Sequence, residues 1–170
     1  MTSKPTIPSA NSLMNRRVHT VTPSMTLWEI VTFLTHHKIS CAPVILETGD
    51  HRKQLAGFVS EQDCLEFLTN EMFYGNPRPP QTGATIMKKH PICVSPETDV
   101  FSLSSIFVHH GMRHLPVIDD ENDLLGLVSR HDILKALERL YDASDDDWRI
   151  EHFPPDLHLI MNHRFLANKS

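Results

Sequence analysis

The chain has 170 residues, 40% hydrophobic and 22% charged, with a formal net charge of −5. That length holds one compact domain or two small ones, and the composition is that of an ordinary globular protein. An acidic balance without a dense Lys/Arg stripe argues against a nucleic-acid partner gripped through its phosphates, and no stretch approaches the roughly 20 apolar residues of a membrane helix.

Residues 1–12 carry prolines and small polar residues and read as a flexible arm; residues 1–17 have no apolar h-region, so no secretory signal is expected. Residues 18–21 read as a short strand ended by Pro23. Leu27, Ile30, Val31 and Leu34 recur at the spacing of one helix face. Residues 42–46 and 54–59 are Val- and Ile-bearing strands joined by a polar turn. A helix starts after Ser60 and is expected to bury Leu65 and Leu68. Residues 74–83, with three prolines and two glycines, form a linker.

The same order then returns. Val100, Leu103, Ile106 and Phe107 mark a helix face, residues 115–118 and 124–128 two strands, and a helix after Ser129 is expected to bury Ile133, Leu134 and Leu137. The acidic run Asp142, Asp145, Asp146 and Asp147 ends that helix in solvated chain. In the tail, Leu157, Ile160, Met161 and Phe165 are spaced as one apolar face of a short helix.

The return is a true repeat. Slid along itself, the chain brings Met14, Val21, Pro23, His36, His37, Pro43, Val44 and Ile45 onto Met87, Val94, Pro96, His109, His110, Pro116, Val117 and Ile118. After a four-residue change of register, Leu55, Gly57, Val59, Ser60, Asp63, Leu65 and Leu68 meet Leu124, Gly126, Val128, Ser129, Asp132, Leu134 and Leu137. A repeat is one structural unit used twice. The copies span residues 13–69 and 84–141, with a linker at 70–83 and a tail at 142–170. At about 55 residues each they are near the size where a lone core is marginal, so a shared core and a pseudo-twofold molecule are expected.

One motif stands at both copies: a strand leaving through Gly-x-Val into Ser-x-x-Asp at a helix start. Its plain reading is a helix cap, with Ser at the N-cap and Asp one turn in. Its functional reading uses the same geometry. A helix N-terminus offers unpaired amides to phosphate, a carboxylate one turn in can accept both hydroxyls of a ribose, and Pro43 or Pro116 leaves backbone groups in the neighbouring strand for an adenine edge. One serine can serve both.

Around this motif the run Ile86-Met87, Pro91, Val94-Ser95-Pro96, His110 to Asp119 and Leu125 to Leu134 resembles a CBS domain (cystathionine-β-synthase type). Copy one resembles a second, more diverged one, and the pair looks like a Bateman module over roughly residues 13–141. The resemblance implies an α/β (α+β) fold of two βαββα repeats packed sheet to sheet about a pseudo-twofold, with adenosine ligands (AMP, ADP, ATP or S-adenosylmethionine) in two clefts. By the family pattern Asp63 and Asp132 match the ribose-binding aspartate. Ser60 and Ser129 match the hydroxyl beside ribose and phosphate. Ala42, Pro43 and Val44, with Leu115, Pro116 and Val117, match the adenine-facing strand. Thr20 and Thr22, with Cys93 and Ser95, match the first strand lining the cleft. It further implies a stand-alone regulatory protein that signals through contacts with an unidentified protein target, works as a homodimer, and needs no catalytic cofactor. The alternative is the same fold with empty clefts, acting as an interaction or oligomerisation module.

The copies differ beside the motif: Arg130 in copy two, Glu61 in copy one. Arg gives phosphate charge-assisted hydrogen bonds and Glu repels it, so copy two is expected to bind nucleotide better, with His114 and His131 as further cleft-lining candidates. His36-His37 and His109-His110 recur, but neighbours on a helix point about 100° apart and make poor joint metal ligands. They read as polar helix ends, and no metal site is expected. No nucleophile elbow or phosphate loop is present, and the chain reads as a non-enzyme. Three cysteines without C-x-x-C spacing read as reduced core residues of a cytoplasmic protein.

Overall fold

The computed structural model describes residues 6–49, 52–75, 79–142 and 160–162. The elements run α1 (Ala10–Leu13), α2 (Leu27–His37), β1 (Cys41–Glu47), β2 (Lys53–Ser60), α3 (Glu61–Tyr74), α4 (Gly83–Ile86), β3 (Ile92–Val94), α5 (Val100–His110), β4 (His114–Ile118), β5 (Leu124–Ser129), α6 (Arg130–Asp142) and β6 (Ile160–Asn162). The described chain divides into two compact units. Each is a mixed α+β unit built on one copy of the repeat.

The first unit holds, among the described residues, 17–49, 52–75 and 79–91, with 121–124 added. Helix α2 starts where Thr26 and Glu29 cap each other: the Glu29 amide donates to Thr26 Oγ1 at 3.3 Å and the Thr26 amide to Glu29 Oε2 at 2.7 Å. It stops at Lys38, which takes the left-handed φ of 54°. Its apolar stripe, Leu27, Ile30 and Leu34, packs with Val21, Ala42, Val44, Val59, Cys64 and Ile86 into one core. Burying such a side chain contributes about 1.5–3 kcal/mol. β1 and β2 form an antiparallel hairpin with Cys41 opposite Ser60 and a register shift at Val44/Ile45. The strands here have 7 and 8 residues, against 5 and 6 in β4 and β5, so the extra residues of copy one lengthen both arms of its hairpin. The strand expected at 18–21 is reduced to one residue: Val21 makes an isolated parallel bridge to Val44.

The second unit holds, among the described residues, 6–16, 92–120, 125–142 and 160–162. Asp99 caps α5 by accepting from the amides of Phe101 (2.9 Å) and Ser102 (3.0 Å), and Gly111 ends it at φ 63°. Val100, Leu103, Ile106, Phe107, Leu115, Val117, Val128, Ile133 and Ala136 are the centre of its core. The sheet order is β5-β4-β3-β6.

The leading segments of the copies are exchanged. Residues 84–91, which open copy two, belong to the first unit, and residues 13–16, which open copy one, belong to the second. The exchange is symmetric. Lys88 bridges Phe58 of β2, and Asn15 bridges Leu127 of β5, the residues that correspond in the repeat. The arm expected over 1–12 ends in ordered structure: α1 with buried Ala10, and Ser9 bridged to Asp99. The β4–β5 turn also reaches the first unit. Leu55 donates its amide to the Asn122 carbonyl and accepts from Asn122 Nδ2, both at 3.1 Å, while Arg52 pairs with Glu121 and, at 3.1 Å, with Asp123.

Three expectations are corrected. Leu65 and Leu134, expected in the core, are 61% and 65% exposed. The buried stripe runs through Cys64 and Leu68 on α3 and through Ile133, Ala136 and Leu137 on α6, and one residue further along a helix is a turn of about 100° away from it. The helix expected in the tail is not formed at Ile160 and Met161, which lie in β6, antiparallel to β3 with Met161 opposite Cys93. Without β6, β3 would be the edge of this sheet, and an open edge satisfies a short segment's backbone directly, whereas a helix must first nucleate. Leu157 and Phe165 lie outside the described residues, as do Asp145, Asp146 and Asp147. The linker expected at 70–83 is shorter, since α3 continues to Tyr74 and α4 starts at Gly83.

Candidate functional site

In both units β2 or β5 delivers its serine to the start of a helix, and the helix returns its aspartate one turn later. Asp63 Oδ2 accepts from the Ser60 amide at 2.8 Å and from Ser60 Oγ at 2.5 Å, and the Asp63 amide donates to Ser60 Oγ at 3.4 Å. Asp132 repeats this with Ser129 at 2.8, 2.6 and 3.3 Å. The plain reading is therefore realised twice: each pair is a complete reciprocal cap. It occupies one carboxylate oxygen, Oδ2, at each site.

The amides at these helix starts are largely engaged. Glu61 donates to the Ser40 carbonyl at 2.9 Å and Arg130 to the Arg113 carbonyl at 3.2 Å, while the aspartate amides point at the serine hydroxyls. A phosphate grip built on these N-termini thus has fewer donors than the sequence suggested. Charge at the sites comes from side chains. In the first unit Lys88 Nζ stands 3.3 Å from Asp63 Oδ1. In the second, Arg130 Nε donates to the Met112 carbonyl, and its guanidinium lies on an exposed face.

The strand residues fall beside the motif in each unit. Ala42, Pro43 and Val44 are buried in β1 next to β2. Of the backbone groups that the strand at Pro43 was expected to leave for an adenine edge, the Pro43 carbonyl accepts from the Val21 amide at 3.0 Å, and Ile45 donates to the Val21 carbonyl at 2.9 Å. Thr20 and Thr22, half-buried, flank that bridge, and Thr22 Oγ1 lies 3.0 Å from Ser24 Oγ. In the second unit Leu115, Pro116 and Val117 are buried in β4, and Val117 pairs with Val94 of β3. Cys93 is fully buried, its thiol pushed up to about 12 by that burial, so it is an inert wall residue rather than a nucleophile. Cys64 is likewise pushed up to about 11, by burial first and then by Asp63. Ser95 follows β3, half-buried.

His114 opens β4, half-buried, and its imidazole is held below the ordinary value mainly by that burial, with Arg113 acting the same way and Asp132 opposing. His131 is exposed on α6. His36 and His37 end α2, where His37 stacks on His19 with ring centroids 4.1 Å apart; among the described residues no group of three His, Cys, Asp or Glu could hold a metal ion. Trp28 is 59% exposed and lines a surface groove of about 440 Å³ with Met25, Phe33 and His36. A second groove of about 360 Å³ runs between α5 and α6, with Arg130 and Leu134 on its wall. No described helix is long and apolar enough to cross a membrane.

Sequence reasoning missed Lys88. It belongs to the opening of copy two, and its counterpart in copy one is Asn15, so repeat matching passes over it. Only the exchange of leading segments brings it to Asp63.

Comparison with known proteins points one way. The family model for the CBS domain matches residues 10–70 and 84–139. Among curated relatives, inosine-5'-monophosphate dehydrogenase of Methanocaldococcus jannaschii is 24% identical over 146 residues, 85% of this chain and 26% of that enzyme; the chain thus spans about a quarter of that relative's length. Among solved structures, CBSX2 in complex with AMP is matched with a TM-score of 0.65 at 23% identity, over 78% of this chain and 98% of that one. The CBS domain pair of MJ0100 in complex with 5'-methylthioadenosine and S-adenosyl-L-methionine is matched at 0.64 and 19% identity, over 82% of this chain and all of that one.

Proposed function

The chain belongs to the CBS-domain family as a tandem pair, and from that premise we propose that it is a regulatory module that binds an adenine nucleotide (AMP, ADP or ATP) and passes the signal to a protein target by contact. The observation that carries this reading is the twinned Ser–Asp pair. In each copy the serine holds the carboxylate through Oδ2 alone, which fixes its direction and turns Oδ1 to a ribose diol, against the competition of Lys88 in copy one. The buried strand residues beside it supply an apolar wall. The ligands named with CBSX2 and MJ0100 are adenosine compounds, the class that such a wall and acceptor suit.

Copy two is the tighter site in this reading. It sets Arg130 and Arg113 beside its motif, where copy one sets Glu61 and Ser40. The nucleotide acts by favouring one arrangement of the module over another, and its effect is limited by its difference in affinity for the two. The target, a homodimeric state and a cytoplasmic setting complete the proposal. Three buried cysteines outside any disulfide suit a reducing compartment. The alternative, an interaction module with empty clefts, draws on the completeness of the two caps, which explains both Ser–Asp pairs without a ligand.

A thermal-shift panel of AMP, ADP, ATP and S-adenosylmethionine separates them. At a hundredfold excess over Kd a specific ligand raises Tm by about 5 °C or more for a chain of this size. A melting temperature unmoved by every compound at millimolar concentration favours the empty module.

A further inference from the structure

We propose that Lys88 makes the copy-one site selective for phosphate-bearing adenosine ligands over phosphate-free ones. The inference rests on the nucleotide-binding reading above and adds the residue that sets ligand class at one of its two sites.

Lys88 is held at one end and loose at the other. Its backbone is clamped to β2 by two hydrogen bonds, the Phe58 amide to the Lys88 carbonyl at 3.0 Å and the Lys88 amide to the Phe58 carbonyl at 2.9 Å. Its side chain is 66% exposed and reaches Asp63 Oδ1 at 3.3 Å. Asp63 itself is buried, and Ser60 already holds its other oxygen. The ammonium therefore sits on the one carboxylate oxygen that a ribose diol needs.

A ligand that enters must displace this ion pair, and the displaced ammonium needs another anion. A phosphorylated ligand brings one. The four-carbon stem lets the ammonium swing while the backbone stays fixed, and a charge-assisted contact to phosphate replaces the one lost. Adenosine and 5'-methylthioadenosine bring no anion at that end, so their diol competes with the ammonium uncompensated. The engaged amides of Glu61 and Asp63 strengthen the point, since phosphate at this site must be met mainly by a side chain, and Glu61 repels it. At the copy-two site the corresponding position is filled by uncharged Asn15, so this exchange belongs to the copy-one site alone.

The test uses the full chain. Asp132→Asn keeps an oxygen to accept from Ser129 while removing the charged acceptor of copy two, and so isolates copy one. In that background calorimetry should give AMP a Kd about tenfold below that of adenosine. Lys88→Met should remove most of the ratio, with adenosine binding unchanged or tighter; Lys88→Arg should keep it; and raised salt should shrink it. If Asp132→Asn fails to fold, Lys88→Met in the otherwise unchanged chain must alter the AMP-to-adenosine ratio of one of the two sites. Wild-type protein that binds no adenosine ligand refutes the underlying reading. Wild-type protein that binds AMP, with a ratio that Lys88→Met leaves unchanged, refutes the role of Lys88 alone. So does an isolated copy-one site that binds neither compound.

Discussion

Gly57 lies directly beneath Met87. A Cβ added to Gly57 would stand 2.6 Å from the Met87 sulfur and 2.8 Å from the Lys88 carbonyl oxygen. Gly126 and Met14 repeat the relationship in the other unit, with the Met14 sulfur and the Asn15 carbonyl oxygen each at 2.8 Å. A methionine side chain can yield, but the carbonyls are backbone pinned in β-bridges. Gly57→Ala and Gly126→Ala should each destabilise by about 1–3 kcal/mol, the usual cost of overpacking. Gly49→Ala, where nothing lies within 4 Å, should be near neutral. Urea denaturation of the three variants checks this, and equal midpoints would show that the segments do not press on the strands.

Those contacts explain what the sequence could and could not reveal. Repeat matching aligned Met14 with Met87 and Gly57 with Gly126, because each pair has the same surroundings. The touching pairs are Met87 with Gly57 and Met14 with Gly126, and correspondence carries no information about contact. Lys88 was passed over for the same reason. Leu65 and Leu134 show the reverse error: recurrence at both copies signalled a shared environment, and that environment is the surface. The helices and hairpins were legible because each buries one face and so prints its period on the sequence. The Ser–Asp pairs were legible as both cap and candidate contact, and the structure completes the cap in both copies. The strand read at 18–21 was over-read, since only Val21 pairs, and the tail strand was not legible. Each is held by pairing to another strand rather than by a periodic face of its own.

Stability should fall on mild acidification, with His114 a contributor. Its pKa lies below the ordinary 6.5, chiefly through burial, so the folded protein takes up that proton less readily than the unfolded chain. The contribution is fully present above pH 6.5 and is lost as pH falls from there through the folded pKa. His114→Gln should flatten the dependence of unfolding free energy on pH between 7.5 and 5, measured by urea denaturation at each pH. His37, lowered by burial and by its neighbours His19 and His36, acts in the same direction and remains in the variant. An unchanged slope would remove His114 from the account.

The exposed apolar residues Leu65 and Leu134 stand at corresponding positions on α3 and α6, with Phe73 and Tyr141 exposed further along the same helices. If helix faces join two copies of the chain, the double variant Leu65→Lys, Leu134→Lys should run as a monomer in light scattering at concentrations where the wild type is a dimer. Secondary structure should be retained, since neither side chain is buried. A wild-type monomer, or a dimer indifferent to both changes, would count against assembly through these faces.

The most direct measurement is the titration of AMP into the full chain and into Asp63→Ala, Asp132→Ala and the double variant, followed by calorimetry. The account predicts saturable binding by the wild type, most of it lost in Asp132→Ala, most of it kept in Asp63→Ala, and none in the double variant. Undiminished binding by the double variant would contradict the central claim that these two carboxylates hold the ligand's sugar.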